Sequence, residues 1–221
     1  MGPGLWIHEQ PLVLFGAQFG RRCAVVKLQS GELLMHSTCR VSDALKREVG
    51  EIGAMRWILV PNRFHDAFFG GCVASFPEAE ICAPRDYRNK RHPDREPTVD
   101  LSGEMPAAWS SDLESLHVQG APRLDETVLY HRPSKSLIFA DLAFNIPKPQ
   151  PFMAALFLRL NGVYGEFRPS RLLRSAIKDK TAFRSSIETM LEWDFDQIVT
   201  GHGDMIRSGG RERLREAYAS L

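Results

Sequence analysis

Apolar residues in this chain come in short bursts, each halted by proline, glycine or a charged or polar residue. The stretches 12–15 (LVLF), 23–28 (CAVVKL), 33–36 (LLMH), 57–60 (WILV), 79–83 (AEICA), 116–118, 126–130 (ETVLY), 137–140 (LIFA) and 197–200 (QIVT) have strand length, and several are rich in β-branched or aromatic residues. Ser30-Gly31 turns one of them into the next, and Pro61 and Pro84 stop two others. Between them lie segments with helical spacing: 43–49 behind the N-cap residue Ser42, 67–76, 152–160, 171–177, 182–193 and 211–219. Residues 85–112 read as a loop with a short helical piece at 107–109. Strands dominate the first half and helices interrupt in pairs. The pattern predicts an α/β chain whose sheets form a core covered by helices, in one domain over 1–221.

Composition narrows the function. With 28 basic and 27 acidic residues, the formal net charge is +1, which supplies no field for nucleic acid or an anionic membrane. The basic run 85–95 contains two aspartates and a proline, so it reads as solvated loop. The start MGPGLWIHEQ has no basic, apolar leader, and no run nears the roughly 18 apolar residues of a membrane span. A cytoplasmic protein acting on a small molecule, without nucleic-acid or membrane partner, is expected. Cys23, Cys39, Cys72 and Cys82 form no C-x-x-C pair and read as buried thiols. G-x-S-x-G, P-loop and G-x-G-x-x-G patterns are missing from the sequence, which disfavours serine hydrolases, kinases and dinucleotide enzymes.

Four strand ends carry polar residues that apolar patterning does not explain: His36, the group Asn62-Arg63-Phe64-His65-Asp66, Asp141 and His202. Loops at strand ends are where sites are built on a rigid scaffold, and imidazole and carboxylate suit Zn²⁺, Mn²⁺ or Fe. The plain alternative for each is a hydrogen-bonded turn residue. Asp141 can cap backbone amides, and His202 between two glycines can mark a tight turn.

The order of these segments resembles the metallo-β-lactamase superfamily. The resemblance is carried by PNRFHDAFFGG (61–71), SLIFADLAFN (136–145) and IVTGHGD (198–204). The opening LFGAQFGRRCAVVKLQSGELLMHS and the later WDFDQIVTGHGD are similar to an uncharacterised branch of that superfamily. The resemblance implies a four-layer αββα sandwich and an eroded metal motif. Counted back from Gly70-Gly71, His65 matches the second His of the family's H-x-H-x-D-H, with Arg63, Ala67 and Phe68 in place of the other ligands. Counted from the strand, Asp66 matches the Asp, with Asn62, Phe64 and Ala67 replacing histidines. Another family histidine has no counterpart in QGAPRLDETVL; His117 lies just ahead of it, and His131 beyond reads as a surface residue.

The resemblance therefore implies a reduced site of His65 or Asp66 with Asp141 and His202, holding at most one divalent metal. His36 stands where the superfamily often has an aspartate. Asp66, if not a ligand, would accept a water proton, and Asn62 would fill the space of a missing histidine. Two functions follow as expectations: a metal-dependent hydrolase with a mononuclear or vestigial site, or a non-catalytic relative that binds a small ligand or partner through the same cleft. The apolar segment 151–160 is expected in the core, with a lid over the cleft or a dimer surface as the alternatives.

Overall fold

The structure, a computed structural model, describes residues 2–221. The chain runs β1 (Leu5–Gln10), β2 (Val13–Leu14), β3 (Ala17–Gln18), β4 (Arg21–Lys27), β5 (Leu33–His36), α1 (Asp43–Ile52), β6 (Met55–Leu59), α2 (Phe69–Ser75), β7 (Glu80–Ala83), β8 (Val99–Asp100) and a 3₁₀ turn (Ala107–Trp109). It continues with β9 (Leu113–His117), β10 (Thr127–His131), β11 (Ser136–Ile138), α3 (Phe152–Leu160), α4 (Arg171–Ala176), α5 (Lys180–Glu192), β12 (Gln197–Val199) and α6 (Gly210–Tyr218). One sheet has six strands in the order β1-β4-β5-β6-β7-β8, and a second has four in the order β12-β11-β10-β9.

Strand alternation sorts the side chains into layers. From the first sheet Ala24, Val26, Leu34, Trp57, Leu59 and Cys82 face Leu113, Leu129, Ile138 and Val199 of the second. The intervening residues of the first sheet, among them Val25, Met35, Ile58 and Ile81, pack under Leu45 and Val49 of α1 and Phe69, Cys72 and Val73 of α2. Those of the second sheet, including Val128, Leu137, Phe139 and Ile198, pack under Leu173, Phe183, Ile187, Met190 and Leu214 of α4, α5 and α6. The result is the expected αββα sandwich. Ser42 caps α1 as anticipated, its hydroxyl accepting from the Leu45 amide at 3.2 Å. All four cysteines are buried and free, and among the described residues no helix is long and apolar enough to cross a membrane.

Several expectations change. Residues 12–15 do not open the main sheet. Val13–Leu14 pairs only with Ala17–Gln18 in a separate exposed hairpin, and β1, antiparallel to β4, takes the sheet edge. The segment 152–160 is half core: Ala154, Ala155 and Leu158 are buried, whereas Phe152, Met153, Leu156 and Leu160 are exposed. Within 85–112, Tyr87 and Asn89 turn inward and are buried, so that loop is anchored rather than fully solvated. His131 is not at the surface. It ends β10 fully buried, with Nδ1 2.7 Å from the Ser134 hydroxyl and Nε2 without a partner.

Two tests follow from this packing. Trp109 is fully buried between the sheets, edge-on to Trp57 at 5.8 Å, and its indole N–H has no acceptor. Trp109→Ala should cost about 3–5 kcal/mol. Trp109→Phe should cost less, because it also removes an unpaired buried donor. Urea unfolding compares them, and equal losses would refute this account of the indole. Burial, with slight opposition from Asp112, pushes His131 from 6.5 down to about 4. The unfolded chain therefore takes up a proton that the native state refuses, and stability falls as pH drops from 6.5 through 4. In His131→Asn the slope of unfolding free energy over that window should decrease by up to about 1.4 kcal/mol per pH unit; an unchanged slope would refute the assignment.

Candidate metal centre

Topology delivers the polar residues to one end of the sandwich. Strands β5, β6 and β7 run parallel, as do β11 and β12, so the residues that follow β5, β6, β11 and β12 emerge together. Antiparallel β4 and β10 contribute their opening residues, Arg21 and the Glu126-Thr127 pair, to the same end. The two sheets are stitched there by the Thr127 amide on the Pro61 carbonyl (2.8 Å) and the Arg22 amide on the Gly201 carbonyl (3.0 Å).

His65, Asp141 and His202 converge at this end, each offering a ligand atom within 4.8 Å of the others. The two Nε2 atoms are 3.1 Å apart, His65 Nε2 is 3.6 Å from Asp141 Oδ2, and His202 Nε2 is 3.5 Å from Asp141 Oδ1. A tetrahedral ion with bonds near 2.1 Å spaces its ligands by roughly 3.4 Å, so the donor set fits one divalent ion. Both imidazoles are held from behind. His202 Nδ1 lies 2.7 Å from the Gly20 carbonyl. A carbonyl only accepts, so Nδ1 carries the proton and Nε2 points its lone pair at the centre. His65 Nδ1 lies 2.7 Å from the Ser37 hydroxyl, and its backbone carbonyl accepts from the Thr38 hydroxyl at 3.2 Å. Gly203 has a positive φ of 72°, and a Cβ there would fall 2.2 Å from the Asn145 carbonyl oxygen, so the turn that presents His202 needs a glycine after it.

Asn62 turns its amide into the same rim. Its Nδ2 donates to Asp141 Oδ2 and to Glu126 Oε2, both at 2.8 Å, and its Oδ1 accepts from the amides of Phe64 (2.8 Å) and His65 (3.0 Å). Asp141 does not cap the loop that follows it. That role belongs to Glu126, which accepts from the amides of Ala140 (2.7 Å) and Asp141 (3.0 Å). Burial, then the Asp141 charge, pushes the Glu126 carboxyl above its ordinary range, against the donors of Asn62 and the two amides. Burial also acts to raise Asp141, but the facing His65 and His202 and the Asn62 amide outweigh it and hold Asp141 well below the usual carboxylate range. Burial pushes His202 down to about 4 despite Asp141, which keeps the ring neutral and able to coordinate.

Two sequence candidates stand outside this group. Asp66 points the other way, accepting from the Tyr87 hydroxyl (3.0 Å) and Asn89 Nδ2 (3.1 Å), so it cannot take a proton from a water at the trio. The choice left open by the two motif alignments thus goes to His65. His36 is enclosed at the end of β5 with Nε2 unpartnered, and burial and then His65 push it down to about 3. It is a neutral core imidazole and not part of the trio. His117 lies elsewhere, between Thr127 and Asp125. Glu126, Ser37 and Arg21 were not singled out from sequence. The one sequence signal for them is the charged pair Arg21-Arg22 opening an otherwise apolar strand.

The trio lines a cavity of about 390 Å³ whose other walls are mostly apolar. Phe144 stacks on the His202 ring at 5.7 Å, and Phe19 meets it edge-on at 6.0 Å.

No curated protein matches the chain. Among solved structures, it is similar to a metallo-β-lactamase from Pontibacter korlensis, with a TM-score of 0.64 at 14% identity, covering 100% of this chain and 97% of that one. It is also similar to the metallo-β-lactamase FIM-1 from Pseudomonas aeruginosa in a mono-zinc form, with a TM-score of 0.60 at 13% identity and coverage of 99% and 91%. A third similarity is to a metal-soaked Flv1 flavodiiron core from Synechocystis, with a TM-score of 0.64 at 8% identity and coverage of 99% and 59%. Such identities speak for the fold alone. Residues 3–164 match a family described as a domain of unknown function, DUF4336. The chain thus has the metallo-β-lactamase fold and belongs to the DUF4336 family.

Proposed function

We propose that this protein is a metal-dependent hydrolase of small molecules with a single-ion site formed by His65, Asp141 and His202. The observation that carries the reading is the spacing of the three donors, 3.1 to 3.6 Å, together with the Gly20 carbonyl that fixes the His202 tautomer with its lone pair inward. Two imidazoles and a carboxylate leave coordination positions open, as catalytic sites require, and suit Zn²⁺, Mn²⁺ or Fe. The chemistry that such an ion supplies is Lewis-acid polarisation of a carbonyl or phosphoryl oxygen and acidification of water toward a pKa near 7.

The chain's own groups have distinct tasks on this reading. His65 and His202 are held in place, braced by Ser37 and Gly20. Asp141, on the cavity wall, is the carboxylate placed to anchor the ion or orient a reacting water. Asn62 positions Asp141 by its 2.8 Å hydrogen bond. Phe19 and Phe144 shield His202 from bulk water. A second reading, a non-catalytic relative that binds a small ligand in the same cleft, is favoured by one observation: Asp66, the expected proton acceptor, faces away. Balanced charge argues for small-molecule partners over nucleic acid or membranes.

Zinc titration of chelator-treated protein should find about one equivalent bound per chain, with Asp141→Ala weakening affinity by more than about 100-fold. Metal-free Asp141→Ala should still fold, with a lowered melting temperature because the Asn62 amide loses an acceptor. Retention of zinc by that variant would remove Asp141 from the ligand set. Asn62→Ala should weaken zinc binding by about 10–100-fold through loss of positioning. Metal-loaded protein should hydrolyse at least one member of a panel of small esters, amides and phosphodiesters, with His202→Ala abolishing turnover. Stoichiometric zinc without turnover would favour the non-catalytic reading.

A further inference from the structure

Two adjacent arginines open β4, and the fold treats them differently. Arg22 is saturated: it donates to Glu9 Oε1, to the carbonyl and hydroxyl of Thr200 and to the Gly203 carbonyl. Its role is to tie the first sheet to the turn that carries His202. Arg21 is just as buried, 6% exposed against 7%, yet it makes one hydrogen bond, from Nε to the Thr38 carbonyl at 3.1 Å. Its Nη2 is buried without any partner. Its guanidinium lies over the Phe68 ring at 5.3 Å. The nearest carboxylates, Asp141 and Asp66, are engaged elsewhere, by Asn62 and by Tyr87 and Asn89. A buried guanidinium normally has its charge paired and its fork filled, and this one is left open.

Arg21 lines the same cavity as the trio, and most of the remaining wall is apolar. The cavity's 390 Å³ falls within the roughly 300–1,000 Å³ of small-molecule sites. A second cavity of about 440 Å³ shares Phe64, Asp141, Phe144 and Leu172 with it, so the apolar trough continues past Asp141. We infer that this trough binds an amphiphilic anion, with an anionic oxygen group on Arg21 and an apolar tail along Phe64, Phe144 and Leu172. The inference rests on the hydrolase reading only in naming its substrate class; the anion site itself stands on Arg21 and the cavity.

Calorimetric titration of the full chain, zinc-free and zinc-loaded, with octanoate, octyl phosphate, octanamide and acetate tests it. Octanoate or octyl phosphate should bind at least about tenfold more tightly than octanamide or acetate, and the better of the two identifies the anionic group. Arg21→Met should erase that preference while octanamide binding stays as it was. Leu172→Glu alters a residue 74% exposed on the cavity rim and should weaken binding of both anions without changing the melting temperature. Anion preference that survives Arg21→Met, or acetate binding as tightly as octanoate, overturns the inference. If Arg21→Met fails to fold, unchanged octanoate affinity in Leu172→Glu overturns it instead. Zinc stoichiometry measured on the same samples separates the two readings. Anion preference without zinc binding sinks the hydrolase and keeps the anion site, and zinc binding without anion preference does the reverse.

Discussion

The side chain of Asn62, fully buried where the two sheets meet, uses its whole hydrogen-bonding capacity to hold this end of the molecule together. Its carbonyl oxygen receives two backbone amides and its amide nitrogen faces two carboxylates, so its orientation is set by its partners. Asn62 follows β6 in the first sheet. Glu126 precedes β10 and Asp141 follows β11, both in the second. One amide thereby fixes the distance between sheets at their ends, the direction of Asp141 and, through the His65 amide, the path of the loop that brings His65 inward. Losing it leaves two buried carboxylates facing each other with one shared donor fewer, a costly arrangement in a low-dielectric interior.

Around that junction the site is built from backbone as much as from side chains. The Gly20 carbonyl orients His202, and the amides of Ala140 and Asp141 hold Glu126. Arg22 then pins the Thr200 and Gly203 carbonyls on either side of His202. Geometry of this kind resists small displacements because moving any one ligand breaks bonds to rigid strand ends. The same enclosure keeps the His202 ring neutral, since burial outweighs the Asp141 carboxylate in front of it.

Much of this was legible in the sequence, for a physical reason. Strand-length continuous apolar runs dictate strands buried on both faces, and the polar residue that ends each run marks where the strand leaves the core. That logic marks Asp141, His202 and the group 62–66 as candidates, and the family resemblance is what joins them into one expected site. It fails for Glu126, which opens the strand ETVLY and looks like an edge charge; only the meeting of two sheets buries it. The logic also fails for direction. Asp66 and His65 are neighbours, and sequence cannot say which turns inward. The Tyr87 and Asn89 side chains, buried from a loop that composition marks as solvated, decide it by capturing Asp66. His36 and His131 show the opposite error, since strand-end histidines can close into the core as neutral rings.

The residues that stand where a fuller ligand set would be have taken other work. Arg63 pairs with Asp125 at 2.7 Å on the outside. Phe64 and Ala67 line the cavity. Phe68 sits beneath two guanidinium groups, Arg21 at 5.3 Å and Arg40 at 5.7 Å. An aromatic face steadies a cation that has few hydrogen bonds, so Phe68 helps keep Arg21 extended beside the trio. Histidines at these positions would compete for the same space with further polar groups needing partners. On the proposed reading, an apolar wall and a buried cation beside the trio leave few ligands for a metal and much apolar surface next to a positive charge, so a single-ion site and an opening suited to an amphiphilic anion would share one origin in the loop between Asn62 and Gly70.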